Sequence, residues 1–253
     1  MTQAPSRVGA STAADWKNTI LAGLANYIDG GSIVAGSAAL ALWVSAYHLT
    51  PAFVGLIGAF SANAISAGVG ALVGGWLCDR VGRKKIYQYD MLFYAFGMLW
   101  LVFAVSPWMI VVGSVLVGLA VGADIPASWS LIAEQAPQGE RGKHSGVAQV
   151  LWYLGPVVVL LLSLALAPLG ALGARIVFAH LAIVAVVLTV LRSGMKESVL
   201  WADARAKISQ GREAVWSRGR LRPLFSSQGL KSMLFLIGMY GIWNLWAGTN
   251  GFF

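Results

Sequence analysis

Seven apolar runs of about 20 residues, near 18–47, 53–77, 87–105, 108–130, 145–168, 174–193 and 231–253, alternate with short charged blocks along the chain. At about 1.5 Å per residue, a helix of that length crosses a hydrocarbon core roughly 30 Å thick. Inside that core each backbone N–H and C=O has to be satisfied within its own segment, so the runs predict an all-α, polytopic membrane protein. Composition agrees where it discriminates. Only 11% of the 253 residues are charged and 58% are hydrophobic, against about 25% charged in a soluble domain. A soluble enzyme and a disordered chain are both excluded on that ground. The formal net charge of +8 is of the sign that nucleic acid would need, but it gathers in loops on one side of the predicted membrane. It therefore reports orientation, and no nucleic-acid partner is expected. The single cysteine, Cys78, excludes an intramolecular disulfide.

The positive charges follow the even-numbered runs: Arg80, Arg83, Lys84 and Lys85, then Arg141 and Lys143, then the stretch from Arg192 to Lys231. The opposite loops hold only Arg175, at the edge of a run. This asymmetry places the N-terminus in the cytoplasm. The expected organisation is a cytoplasmic tail over 1–17, a six-helix transmembrane bundle over 18–193, a charged cytoplasmic loop over 194–230 and a seventh transmembrane helix over 231–253. The tail lacks the short apolar region and small-residue cleavage site of a signal peptide. Within the loop, Trp201, Ala204, Ile208, Val215 and Trp216 fall at near-helical spacing. That pattern predicts interfacial amphipathic helices, with a basic solvated linker as the alternative. Gly251, Phe252 and Phe253 end the chain without a polar flank, so the sequence is expected to be cut off there.

Three cytoplasmic segments carry a recognisable charge pattern. Gly74, Gly75, Asp79, Arg80, Gly82, Arg83, Lys84 and Lys85 fit G-G-x-x-x-D-R-x-G-R-K-K. This resembles the loop 2–3 signature of the major facilitator superfamily, secondary transporters of twelve helices in two six-helix halves. Glu134, Pro137, Arg141 and Gly142 fit E-x-x-P-x-x-x-R-G and resemble the loop 4–5 motif of its sugar porter branch. Glu197, Ser198 and Trp201 resemble that branch's P-E-S-x-x-W-L segment, with Lys196 in the proline position. The resemblance implies a truncated twelve-helix fold, a six-helix N-terminal bundle plus helix seven. It also implies that Asp79, Arg80, Arg83, Glu134, Arg141 and Glu197 form gating ion pairs that never touch substrate. Independently of the family, Gly82 suits a tight turn, and the pairs Gly70–Gly74 and Gly118–Gly122 read as close-packing faces.

A carboxylate near the bilayer centre costs at least about 2.5 kcal/mol and so marks a functional site or a paired structural group. Asp29 lies midway along the first run and Asp124 toward the inner third of the fourth. These positions correspond in the inverted repeats that the superfamily contains, so both acids are expected to line one central cavity. Asp90, a few residues into the third run, is expected to snorkel into the cytoplasmic charges. Tyr27, Ile28, Asp29, Ile33 and Gly36 resemble the sugar porter's first helix, whose Asp couples protons opposite an Arg in helix four. Here Ser114 takes the Arg position, and no Arg is expected inside any span. The segment Gly122 to Ser128 resembles the G-G-D-Y-P-L-S of phosphate porters, but the seventh run offers no basic residue for an anion. Asp124 remains a second protonatable candidate.

For the solute, Gln149 and Gly155 keep the sugar porter spacing from Arg141, and the resemblance makes Gln149 a partner for sugar hydroxyls. An amide donates and accepts as a hydroxyl does, without burying a charge. Asn244, Gly248 and Asn250 resemble Q-Q-x-x-G-x-N of helix seven, with Leu245 in place of the second amide. Trp243 and Trp246 offer ring stacking, or interfacial anchoring as the plainer role. Gly155 and Pro156 are similar to an antiporter motif, but Val157 to Leu162 lack its glycines, which disfavours export. His180 is expected to be packed or bonded to a neighbour, with His48 and His144 at run edges.

These residues imply a carrier in the cell membrane that moves a small solute, a sugar or polyol, with protons by alternating access. The rival solutes are a small organic acid or cation, and the rival of another class is a fragment that does not transport for want of its second half. No nucleophile–base pair or metal cluster is visible, so neither an enzyme nor a cofactor is expected.

Overall fold

The computed structural model describes residues 10–61, 64–137, 139–194, 197, 199–210 and 226–252. Nine α-helices lie among the described residues: α1 (Ala13–Tyr47), α2 (Pro51–Ala59), α3 (Ile65–Val81), α4 (Arg83–Val102), α5 (Pro107–Gln135), α6 (Arg141–Leu166), α7 (Ala171–Arg192), α8 (Val199–Ser209) and α9 (Ser227–Phe252). A short 3-10 turn, Ala167–Leu169, follows α6. The architecture is all-α, as expected. Among the described residues four helices, α1, α5, α6 with its 3-10 turn and α7, are long and apolar enough to cross a membrane. Two compact units are present, the first running to Ser198 and the second from Val199 to Phe253.

The second expected span differs: α2 and α3 divide it. Helix α2 starts where the Thr50 hydroxyl accepts from Phe53 N–H and Pro51 opens the first turn. It ends at Phe60, whose carbonyl accepts from the Ser66 hydroxyl at 3.0 Å. The N–H groups of Ser61 and Ala64 close turns onto Gly58 and Ser61. Among the described residues these bonds satisfy backbone groups at the break from within, as a membrane interior requires.

In the first unit α1 packs on α6, α3 on α5, and α4 on both α5 and α7. The α3–α5 seam is made by the two glycine pairs. A Cβ at Gly70 would stand 2.3 Å from Leu119 O and one at Gly74 2.5 Å from Ala123 Cα. From the other side, Gly122 lies 2.0 Å in the same sense from Ala67 O. No other residue lets the two backbones come so close. Helix α6 shows the same logic with two faces: Ala148, Gly155 and Val159 are buried, while Val150, Val157, Leu161 and Leu164 are exposed. The bulky face is matched to acyl chains.

Between α3 and α4 the chain turns at Gly82, with φ 109° and ψ 149°. That region is reached essentially only by glycine, so the expected tight turn is present. Of the stretch expected to form amphipathic helices, α8 is helical, and 211–225 lies outside the described residues.

Candidate functional site: a buried charge cluster and its charged rim

Four ionisable side chains from four helices sit in the interior of the first unit. Relative exposure is 2% for Asp29 on α1, 6% for Asp90 on α4, and 0% for both Asp124 on α5 and Arg192 on α7. Arg192 organises them. Its Nε and Nη2 donate to Leu21 O at 3.2 and 3.0 Å. Its Nη1 donates to Tyr87 O at 3.3 Å and stands 3.4 Å from Asp124 Oδ1. The guanidinium lies 3.6 Å over the Tyr87 ring. One side chain thereby ties α1, α4, α5 and α7, which is possible because a guanidinium offers five donors in a planar fork.

This overturns two sequence expectations. Arg192, assigned by its charge to the cytoplasmic loop, is a buried ligand of the bundle, so a span does contain an Arg. Its donors are spent on carbonyls and Asp124. Asp90 does not snorkel outward: it is buried, and no side-chain donor reaches either carboxylate oxygen among the described residues. The reason is shared. Arg192 closes α7 and Asp90 lies about two turns into α4, so both read as near the charged loops in sequence, but packing against other helices buries them.

Asp29, Asp90, Asp124 and Arg192 are all buried in the first unit, and Arg192 pairs with Asp124. Asp29 has no partner on either carboxylate oxygen among the described residues. Its surroundings are polar yet aimed elsewhere. Ser32 Oγ donates to the Asp29 backbone carbonyl at 2.7 Å. Tyr94 Oη donates to Ile28 O at 3.0 Å. Tyr27 Oη pairs with His180 Nε2 at 2.8 Å, so His180 is bonded to a neighbour. Gln149 is half-buried on α6, next to Ala148, whose carbonyl accepts from Asn26 Nδ2 at 3.3 Å. No hydrogen bond joins Gln149 to Asp29. On α9, Trp243, Asn244 and Asn250 fall on helical backbone, but their side chains lie outside the described residues.

Of the charges expected to form gating pairs, several lie at one rim of the bundle. Arg83 Nη2 stands 3.2 Å from Glu134 Oε1 and its Nη1 3.5 Å from Asp79 Oδ1, linking α3, α4 and α5. Glu197 accepts from the backbone N–H of Lys84 at 3.2 Å through both oxygens. It thereby caps the positive end of α4. Arg80 instead lies 4.7 Å over the Trp76 ring, and Arg141 is exposed at the start of α6.

A further contact was not visible in sequence. His144 is fully buried between the start of α1 and the start of α6. Its Nε2 meets Ser11 Oγ at 2.8 Å, its Nδ1 meets Thr19 Oγ1, and its ring stacks on Trp16 with centroids 4.1 Å apart. Ser11 also donates to Glu140 from both its hydroxyl and its backbone N–H. The Lys143 ammonium and the Ser11 donors hold the Glu140 carboxyl down at about 2.

Comparison with known proteins places this geometry. The sequence pattern of the Major Facilitator Superfamily matches residues 19–253. The minor myo-inositol transporter IolF of Bacillus subtilis is 52% identical over 239 residues, 94% of this chain and 55% of that protein. The cis,cis-muconate transport protein of Acinetobacter baylyi is 28% identical over 249 residues, 98% of this chain and 56% of its own. Among solved structures, the partially occluded inward-open xylose transporter XylE from E. coli superposes with a TM-score of 0.70 at 19% identity, over 88% of this chain and 61% of that one. That likeness concerns the fold. The chain spans about half the length of the curated relatives it matches.

Proposed function

The chain belongs to the Major Facilitator Superfamily, and on that premise we propose that it supplies the first bundle and seventh helix of a cell-membrane carrier for a sugar or polyol, working by proton-coupled alternating access. The N-terminus lies in the cytoplasm in this reading. The observation that carries it is Asp29, a carboxyl withdrawn into the bundle with neither oxygen partnered among the described residues. An unpaired carboxylate is costly there, so a proton taken up at Asp29 removes a buried charge and shifts the balance between inward and outward states. Asp124 is the second proton-coupling group. The solute is a neutral polyol of the kind carried by the 52% identical myo-inositol transporter. Its hydroxyls bind the amides of Gln149, Asn244 and Asn250, with Trp243 against the ring.

An organic acid is the weaker reading, because the buried cation available to meet it, Arg192, has its donors committed to Leu21, Tyr87 and Asp124. At the rim, the Asp79–Arg83–Glu134 pairs and the Glu197 cap are broken and remade as the carrier rocks.

The test is uptake of labelled myo-inositol into liposomes under an imposed proton gradient, with glucose, nicotinate and an amine as competitors. Gradient-driven accumulation that Asp29→Asn abolishes while exchange of myo-inositol persists is the expected result. Accumulation by Asp29→Asn equal to the parent refutes the coupling role, and competition by nicotinate or the amine alone refutes the solute class.

A further inference from the structure

Helix α4 turns a narrow stripe toward the inside of the first unit: Tyr87, Asp90, Met91, Tyr94, Ala95 and Met98 are buried, at the spacing of one helix face. Two members of the stripe are tied to other helices. Tyr87 O accepts from Arg192 Nη1 at 3.3 Å, which holds α4 to α7. Tyr94 Oη donates to Ile28 O at 3.0 Å, which holds α4 to α1 beside Asp29. Asp90 lies one turn from each tie. It is 6% exposed, and among the described residues neither of its carboxylate oxygens has a hydrogen-bond partner.

No cation is left to neutralise it. The titratable groups whose charges reach Asp90 are Asp124 on α5, Arg192 on α7, Asp29 on α1, Cys78 on α3 and, on α4 itself, Tyr87. Arg192 is the one cation among them, and each of its nitrogens is engaged. Nε and Nη2 donate to Leu21 O, and Nη1 serves Tyr87 O and Asp124 Oδ1. A carboxyl taken out of water with neither a donor nor a free counter-charge is far cheaper as the neutral acid than as the anion.

We propose that Asp90 is a proton-binding residue of the bundle, occupied in this arrangement of the helices and distinct from Asp29 and Asp124. This goes beyond the transport reading, which gives Asp90 no part, and rests on that reading only for what the proton does. With its proton, Asp90 adds no charge to the interior. On release the O–H bond breaks, the proton passes to water, and a carboxylate is left on the buried stripe between the Tyr87 and Tyr94 ties. Helix α4 keeps its packing on α5 and α7 at low cost only while the proton is bound, so proton binding and docking of α4 favour one another.

The test reads the proton itself. Infrared spectra of the purified chain in lipid nanodiscs at neutral pH show the carbonyl stretch of protonated carboxylic acids, and carbon-13 labelling of aspartate separates these from glutamic acids. Asp29→Asn removes the contribution of Asp29. The expected result is a labelled acid band in Asp29→Asn that is lost when Asp90→Asn is added. Asp90→Glu in the same background keeps a carboxyl at the site and is expected to move the band from the labelled to the unlabelled position, so either double variant reads the residue. Absence of the band in Asp29→Asn overturns the proposal with the single variant alone. A labelled band that persists in either double variant overturns it as well, because the proton then sits on another aspartate. The spectra need no solute. Uptake of myo-inositol without the band sinks the Asp90 site alone, and the band without uptake sinks the solute assignment alone.

Discussion

Arg192 Nη1 and Asp124 Oδ1 meet at 3.4 Å with neither side chain exposed, joining the end of α7 to the middle of α5. A buried pair of this kind costs most when half of it is removed, because the survivor is left as an uncompensated charge. Arg192→Met is predicted to destabilise the protein by about 3–5 kcal/mol, whereas Arg192→Met combined with Asp124→Leu regains much of that loss. Thermal unfolding of both variants in detergent checks this, and a double variant no more stable than the single one contradicts it.

The glycine seam predicts opposite outcomes within adjacent helices. Gly122→Ala drives a methyl group against Ala67 O and is predicted to cost about 1–3 kcal/mol through separation of α3 from α5. Gly68, on the same α3, has nothing within 4 Å of its Cβ position. Gly68→Ala is therefore predicted to be neutral or to stabilise by up to about 1 kcal/mol through helix propensity. Melting temperatures measured side by side decide the matter.

Much of this was legible in sequence, and the reason is geometric. Seven apolar runs and two glycine pairs are local patterns: helix length and small-residue spacing can be read without knowing the neighbours. The D-R-x-G-R-K-K turn is likewise local, since Gly82 needs only its own backbone angle. Arg192 and Asp90 were misplaced because their environment is made by other helices. At a helix end, an Arg facing lipid headgroups and an Arg facing two backbone carbonyls and a carboxylate of neighbouring helices have the same sequence neighbours. His144 escaped for the same reason, its partners lying more than a hundred residues away in the chain. The solute residues remain a reading by family register, with Gln149 half-buried beside the α1–α6 seam.

At the Gly82 joint, Gly82→Ala forces a Cβ into φ 109°, ψ 149°, a region that costs about 1–3 kcal/mol for any other residue. The turn sets the register of Arg83 against Glu134. Loss of stability comparable to Arg83→Ala is predicted, and the combination is predicted to add little beyond either change alone. A double-mutant cycle on thermal unfolding provides the check.

The Glu140 clasp predicts a pH window. Its carboxyl is held from an ordinary 4.5 down to about 2 by Lys143 and then Ser11. A depressed value means the contact favours the docked segment fully above pH 4.5 and loses that contribution as pH falls toward about 2. Trp16, stacked on His144, reports docking through its fluorescence. A transition between those limits that Glu140→Gln removes is the expected outcome, and an unchanged transition in Glu140→Gln refutes the assignment.

The His144 contact also orders events during biosynthesis. Thr19 and His144 are 125 residues apart, so the first helix is made long before its opening turns can be seated. Until the fifth crossing emerges from the ribosome, the glycine-notched side of that first helix, Gly23 and Gly30, has no mate and faces lipid or the insertion machinery. Closure of the bundle is therefore a late, long-range step, and a synthesis arrest placed before residue 140 would leave the leading segment open to protease while the spans already made stay embedded.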